Sequence, residues 1–324
     1  MRFIGRTIVL FLPLMPRFFV RWISKRYVAG ESLADAIMVM KSLNSENTCF
    51  TVDVLGEEIN NISEASYFIN EYHNLLDAIV GKNIDANISI KPTALGLLLD
   101  ENKAKENLAK LLEKAALNDI FVRLDMEDTR VTQPTIDLVH EMHNRGHKNV
   151  GTVLQARLFR TPDDIVTICS KLGPNADFRI CKGIYLEPAD VAFTNYQEIV
   201  EATNLAIDSM LQKGAYVAIA SHDDLIISHA LDSLIKNDMG PGESDPRTNS
   251  GPKLNGKGNG YEFQFLLGVR GDKRRILAQE GHLTRIYLPY GSRWYEYSMR
   301  RLRENPEIAT HVAKAFFLPW TNRR

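Results

Sequence analysis

A (β/α)8 barrel is the fold class this sequence predicts, on three observations. Eight short apolar runs recur along the chain, at 49–57 (CFTVDVLGE), 87–92 (NISIKP), 120–127 (IFVRLDME), 149–157 (NVGTVLQAR), 177–185 (DFRICKGIY), 215–223 (AYVAIASHD), 262–269 (EFQFLLGV) and 285–291 (RIYLPYG). Most are rich in β-branched and aromatic residues, and the segments between them read as helices, so the repeating unit is strand then helix. Nearly every run also ends in a residue able to do chemistry: Glu57, Lys91, Asp125, Gln155, Lys182, His222 and Tyr290. In such barrels the working residues sit where the strands end.

Helices are expected at 63–80, 103–117, 133–146, 162–172, 189–213, 224–237, 272–281 and 293–304, with start signals at Ser63, at Thr161-Pro162 and at Pro188. The segment 239–261, dense in Gly, Pro, Asn and Ser, reads as a loop. Its Gly256, Gly258 and Gly260 precede a strand instead of linking strand to helix, so they are not a dinucleotide fingerprint. Any flavin or nicotinamide must therefore be held without a Rossmann motif. Barrels of this class use about 250 residues, which divides the 324 residues into a helical arm at 1–48, a barrel at 49–308 and a tail at 309–324.

In the arm, the longest uncharged run is 7–16, far short of the roughly 20 apolar residues that a spanning helix needs. No small-residue cleavage site follows it, and Arg17, Arg21, Lys25 and Arg26 come after the apolar part, which is wrong for a signal peptide. Interleaved with Phe18, Phe19, Trp22 and Ile23, these basic residues match an interfacial helix resting on anionic lipid. A helix packed on the barrel's flank fits the same pattern.

The 39 basic and 40 acidic residues nearly cancel, which leaves no whole-chain electrostatic case for nucleic acid. Cys49, Cys169 and Cys181 are odd in number and lack CxxC spacing, so neither a disulfide framework nor a thiolate metal site is indicated, and a reducing compartment fits. His140, His143 and His147 fall at helical spacing without a carboxylate in a matching ligand pattern. They read as a solvated helix end that Gly146 terminates, and no metal is expected.

Two constellations carry the chemistry. On a helical wheel, 293–304 places Tyr295, Met299 and Leu302 on one stripe and Tyr297, Arg300, Arg301 and Glu304 on the opposite one. Two adjacent arginines present forks of donors that match a carboxylate, and Glu304 lies close enough to hold one of them. A solvated outer face accounts for that stripe equally well. In the second constellation, DFRICKGIYLEP, Arg179 and Lys182 emerge from a strand and Gly183 permits close approach to the backbone, which suits an extended, electron-rich ligand. A lone lysine at a strand end also suits a Schiff-base lyase or aldolase, with Lys91 and Lys182 as rivals for that role.

Taken together, the motifs YVAGESLADAI, DVLGEE, SIKPTALGL, RLDMED, TVLQARLFRTPDD, RICKGIYLEP, SHDD, YEFQFLLGV and the final strand and helix resemble the proline dehydrogenase family, in order and spacing over 27–308. The resemblance implies a distorted (β/α)8 TIM-type barrel with its last helix over the mouth. It holds FAD non-covalently and oxidises L-proline to Δ1-pyrroline-5-carboxylate by hydride transfer. By motif position, Arg300 and Arg301 bind the proline carboxylate with Lys91, and Leu266, Tyr287 and Tyr297 enclose the ring. Asp125 organises the site. Gln155, Arg179, Cys181, Lys182 and Gly183 hold the flavin, with Met126, Ser221 and His222 in further contact, and Glu57 closes the site against an arginine of the final helix. The resemblance further implies a membrane quinone as electron acceptor, a downstream pyrroline-5-carboxylate dehydrogenase, and a cytoplasmic protein peripheral on the inner face of the membrane. A catalytically silent barrel that binds but does not react is the remaining alternative. Two positions depart from the family pattern: Ile184, where Ala is common, and Ser221, where Thr is usual. Tyr287 matches relatives that prefer unsubstituted proline.

Overall fold

The structure is a computed structural model that describes residues 17–245, 247 and 257–304, with the side chains of 19, 23 and 300–304 outside the description. Eight parallel strands close into a barrel in chain order, the last pairing with the first. They are β1 (Cys49–Val54), β2 (Ala86–Ile90), β3 (Val122–Leu124), β4 (Val150–Gln155), β5 (Asp177–Cys181), β6 (Tyr216–Ala220), β7 (Tyr261–Leu266) and β8 (Thr284–Tyr290). Helices α1 (Arg17–Ser24) and α2 (Leu33–Leu43) precede the barrel. The crossovers are α3 (Ala65–Gly81), α4 (Glu101–Ala116), α5 (Thr129–Asn144), α6 (Thr161–Leu172), α7 (Tyr196–Gln212), α8 (Asp224–Lys236) and α9 (Gly271–Gln279), and α10 (Trp294–Glu304) follows β8.

Side chains alternate across each strand, and the two phases differ sharply in chemistry. Phe50, Val52 and Val54 of β1, Ile88 and Ile90 of β2, and Ile286, Leu288 and Tyr290 of β8 lie in one apolar cluster with Phe68, Tyr72 and Leu75 of α3. The other phase, Asp53, Ser89, Arg123, Asp177, Arg179, Glu262, Gln264 and Arg285, is equally buried but faces the lumen. Buried charges persist only when paired, and these are: Arg123 with Asp177, Arg179 with Asp125, and Arg285 with Glu262. Gly151 makes room for the first pair, since a Cβ there would lie 2.4 Å from the Asp177 carbonyl oxygen and 2.8 Å from the Arg123 guanidinium.

Three local readings need correction. The helix expected from 189 begins only at Tyr196, where Asn195 caps it by accepting from the Gln197 N–H. The preceding segment is fastened across the rim instead: the Phe193 N–H donates to the Arg157 carbonyl at 2.8 Å, and the Glu187 carboxylate accepts from the N–H and hydroxyl of Thr129, each at 3.0 Å. The helix expected from 133 starts at Thr129 under an Asp128 cap. On it, His140 and His143 are buried, not solvated. His143 Nε2 lies 2.9 Å from the Val150 carbonyl oxygen, and His140 Nδ1 is 3.4 Å from Lys171 Nζ.

Helix α1 packs on α10. Val20 and Ser24 are buried, and the guanidinium of Arg17 sits 4.8 Å over the Tyr295 ring. Phe18 stays 75% exposed, and Arg17, Arg21 and the following Lys25 are exposed as well. No helix among the described residues is long and apolar enough to cross a membrane.

Candidate active site

A cavity of about 660 Å³ opens at the carboxyl ends of the strands. Glu57, Lys91, Asp125, Met126, Gln155, Arg179, Cys181, Lys182, Gly183, Ser221, His222, Leu266, Tyr287 and Tyr297 all line it. The strands thus bring together every sequence-derived site residue whose side chain is described. Tyr290 is the exception among the strand-end residues. It shares the phase of Ile286 and Leu288 and packs outward, whereas Tyr287 lies on the lumen phase. Tyr297 carries α10 to the mouth of the barrel. Arg300, Arg301 and Glu304 continue that helix, with side chains outside the described residues.

Asp125 is the hub of the site. Its Oδ1 accepts from Arg179 Nη1 at 2.6 Å and from the Ser89 hydroxyl at 2.5 Å, and its Oδ2 accepts from the Tyr287 hydroxyl at 2.7 Å. Burial alone raises a carboxyl pKa, but Arg179 and Lys91 outweigh it and hold Asp125 below the usual range. Burial likewise disfavours the Lys91 ammonium, yet Asp53, 2.8 Å from its Nζ, and Asp125, 3.8 Å away, raise its pKa above the ordinary value. Lys91 is therefore a fixed cation. An amine nucleophile needs the opposite shift.

Arg179 spends Nε on the Gln264 side-chain oxygen at 2.5 Å and Nη1 on Asp125 and Ser89, which leaves Nη2 buried with no partner among the described residues. On the neighbouring strand, Gln155 Nε2 donates to the Glu127 carbonyl at 2.8 Å, leaving Gln155 Oε1 equally unpartnered. Gly183, at φ +97°, passes beside that oxygen, and a Cβ there would stand 2.9 Å from it. At the far side of the cavity, Lys182 pairs with Asp223, which also accepts from the Tyr196 hydroxyl at 2.7 Å. His222 Nε2 accepts from the Leu266 N–H at 2.9 Å, which puts the ring proton on Nδ1.

The sequence reading missed Asp53, Ser89, Gln264 and Asp223. The first three carry a legible signal, because each stands two residues from another lumen-facing residue (Thr51, Lys91 and Leu266) on its own strand or just past its end. Among the described residues, no group of three or more His, Cys, Asp or Glu is arranged to hold a metal ion.

A family model described as proline dehydrogenase matches residues 36–314. The chain is similar to "Proline dehydrogenase 1" of Bacillus subtilis subsp. natto, 33% identical over 295 residues that cover 90% of this chain and 89% of that one. It is also similar to "Proline dehydrogenase" of Deinococcus radiodurans, 31% identical over 296 residues, covering 90% and 89%. Among solved structures, proline utilization A from Bdellovibrio bacteriovorus inactivated by N-propargylglycine superposes with a TM-score of 0.76 at 23% identity, covering 88% of this chain. That likeness shows the fold. The chain spans 33% of that longer protein.

Proposed function

Since the chain belongs to the proline dehydrogenase family, we propose that it oxidises L-proline to Δ1-pyrroline-5-carboxylate using FAD held non-covalently in the cavity. The observation that carries this reading is the pair of buried, unpartnered polar atoms, the Arg179 Nη2 donor and the Gln155 Oε1 acceptor, on adjacent strands of one cavity. Buried polar groups without partners are rare, and a flat heterocycle with donors and acceptors along its edge satisfies both. Arg179, Gln155, Cys181, Lys182 and Gly183 would hold the flavin, with Met126, Ser221 and His222 completing the wall. FAD, when bound, supplies the acceptor for a hydride from the substrate's C5.

The remaining roles belong to the chain itself. Lys91, kept protonated, attracts the proline carboxylate together with Arg300 and Arg301, while Leu266, Tyr287 and Tyr297 wall the ring and exclude water. Asp125 fixes Arg179 and Tyr287 so that neither drifts as substrate enters. Glu57 closes the site against an arginine of α10, which Glu304 supports. Electrons leave to a membrane quinone, and the product passes to a pyrroline-5-carboxylate dehydrogenase. The exposed Phe18 of α1, with exposed Arg17, Arg21 and Lys25 near it in the chain, supports peripheral attachment to the inner, anionic face of the cell membrane.

Purified protein is expected to be yellow, and Arg301→Met to keep the flavin while raising the KM for proline ten- to hundredfold, because a charge-assisted hydrogen bond is worth about 1.5–3 kcal/mol. Colourless protein that cannot be reconstituted with FAD overturns the proposal. An unchanged KM in Arg301→Met removes that residue from the carboxylate clamp.

A further inference from the structure

Gln264 and Glu262 share the lumen face of β7, one layer apart, and touch different chemistry. Glu262 is fully buried in the barrel's centre. Its Oε1 accepts from Arg285 Nε at 2.8 Å, and its Oε2 accepts from Arg285 Nη2 at 3.0 Å and from the Tyr216 hydroxyl at 2.8 Å. The Tyr216 oxygen in turn accepts from the Gly258 N–H at 3.0 Å, and its own proton has Glu262 at 2.8 Å as a nearer acceptor than the Tyr261 carbonyl at 3.4 Å. Oε1 takes one further donor, the side-chain amide Nε2 of Gln264.

That last bond has a directional consequence. An ionised carboxylate only accepts, and although burial opposes charge on Glu262, Arg285 and Lys257 hold its pKa far below the ordinary range. The Gln264 nitrogen must therefore face Glu262, and its oxygen must face Arg179 Nε, 2.5 Å away. With the amide reversed, two donors would meet head to head. A guanidinium is planar, so fixing Nε on Gln264 and Nη1 on Asp125 also fixes where Nη2 points.

We propose that Gln264, oriented by Glu262, is a positioning residue that aims the Arg179 Nη2 donor into the cavity. The inference rests on the reading above for what that donor meets there, but not for the aim itself. Gln264→Met retains the volume and leaves the Glu262–Arg285 pair in place. In its crystal structure, with or without flavin, Nη2 of Arg179 is expected to turn away from the cavity. In flavin-loaded enzyme, kcat is expected to fall about tenfold with the KM for proline nearly unchanged, and the flavin midpoint potential to fall by about 30 mV, the two-electron equivalent of tenfold. Glu262→Gln is expected to change the Arg179 pose no further in the Gln264→Met background, although it strips Arg285 of its buried partner; if that variant does not fold, Gln264→Met alone decides. An Arg179 that keeps its pose in Gln264→Met overturns the inference. Wild-type protein that binds no flavin overturns the earlier reading instead, and the comparison of Arg179 poses still decides this one.

Discussion

Glu127 shows how one buried carboxyl beside the cavity ties stability to pH. Its two oxygens accept from the Thr93 N–H at 3.2 Å and the Thr93 hydroxyl at 2.6 Å, yet burial outweighs both bonds and pushes its pKa from 4.5 up to about 7. Between those values the folded chain holds a proton that the unfolded chain releases, so stability falls as pH rises through the window. Glu127→Gln removes that titration. Its melting temperature relative to wild type is expected to be higher at about pH 8 than at about pH 5, as calorimetry can measure. Equal differences at the two pH values would mean that Glu127 ionises normally. Tyr287 makes a second prediction. Its ring walls the cavity and its hydroxyl serves Asp125, so Tyr287→Ser is expected to lower proline turnover while raising relative activity toward 4-hydroxyproline. An unchanged ratio of the two kcat/KM values would take ring specificity away from this residue. Single residues were legible where a side chain's chemistry was distinctive, as for Arg179 and Lys182. The two-residue spacing of Gln264 from Leu266 puts it on the lumen face, but its partner Arg179 lies 85 positions away and no local pattern reports that contact.

Among the elements, strands were easier to read than the segments joining them. A run of β-branched residues marks a strand buried on both faces, and all eight runs became strands, though β3 shortened to three residues. Phase was the harder part: Tyr290 ended its run as a chemistry-bearing residue, but a one-residue shift in parity sends a side chain to the other face. The rim segment before α7 read as helix because Pro188 looked like a start, while its backbone groups were spent on Arg157 instead. Helix α1 fitted lipid or barrel equally in the sequence, and its docking on α10 depends on Trp294 and Tyr295, far along the chain. Val20 is fully buried, so Val20→Asp is expected to detach α1, loosen α10 and raise the KM for proline without loss of flavin absorbance. An unchanged KM would show that α10 holds its place alone.

For the molecule as a whole, the proposed attachment through the exposed basic residues of α1 and Lys25 would be electrostatic. Each exposed basic residue near an anionic surface contributes about 1 kcal/mol, and salt screens it. Full-length protein is expected to sediment with anionic vesicles at low salt and to be released at high salt, while oxidation of proline with a soluble dye proceeds in either condition. Protein that stays in the supernatant at low salt would refute membrane attachment through these residues. The closed ring of strands carries one more consequence, in time instead of space. The seam between β1 and β8 is fastened by the Thr48 hydroxyl on the Thr284 carbonyl, across 236 positions. At ribosomal rates of about 5–20 residues per second, β1 waits on the order of ten to fifty seconds for its last neighbour to be made. Until then β1 keeps an open strand edge and Glu262 lacks Arg285, so the barrel closes only after β8 has been made.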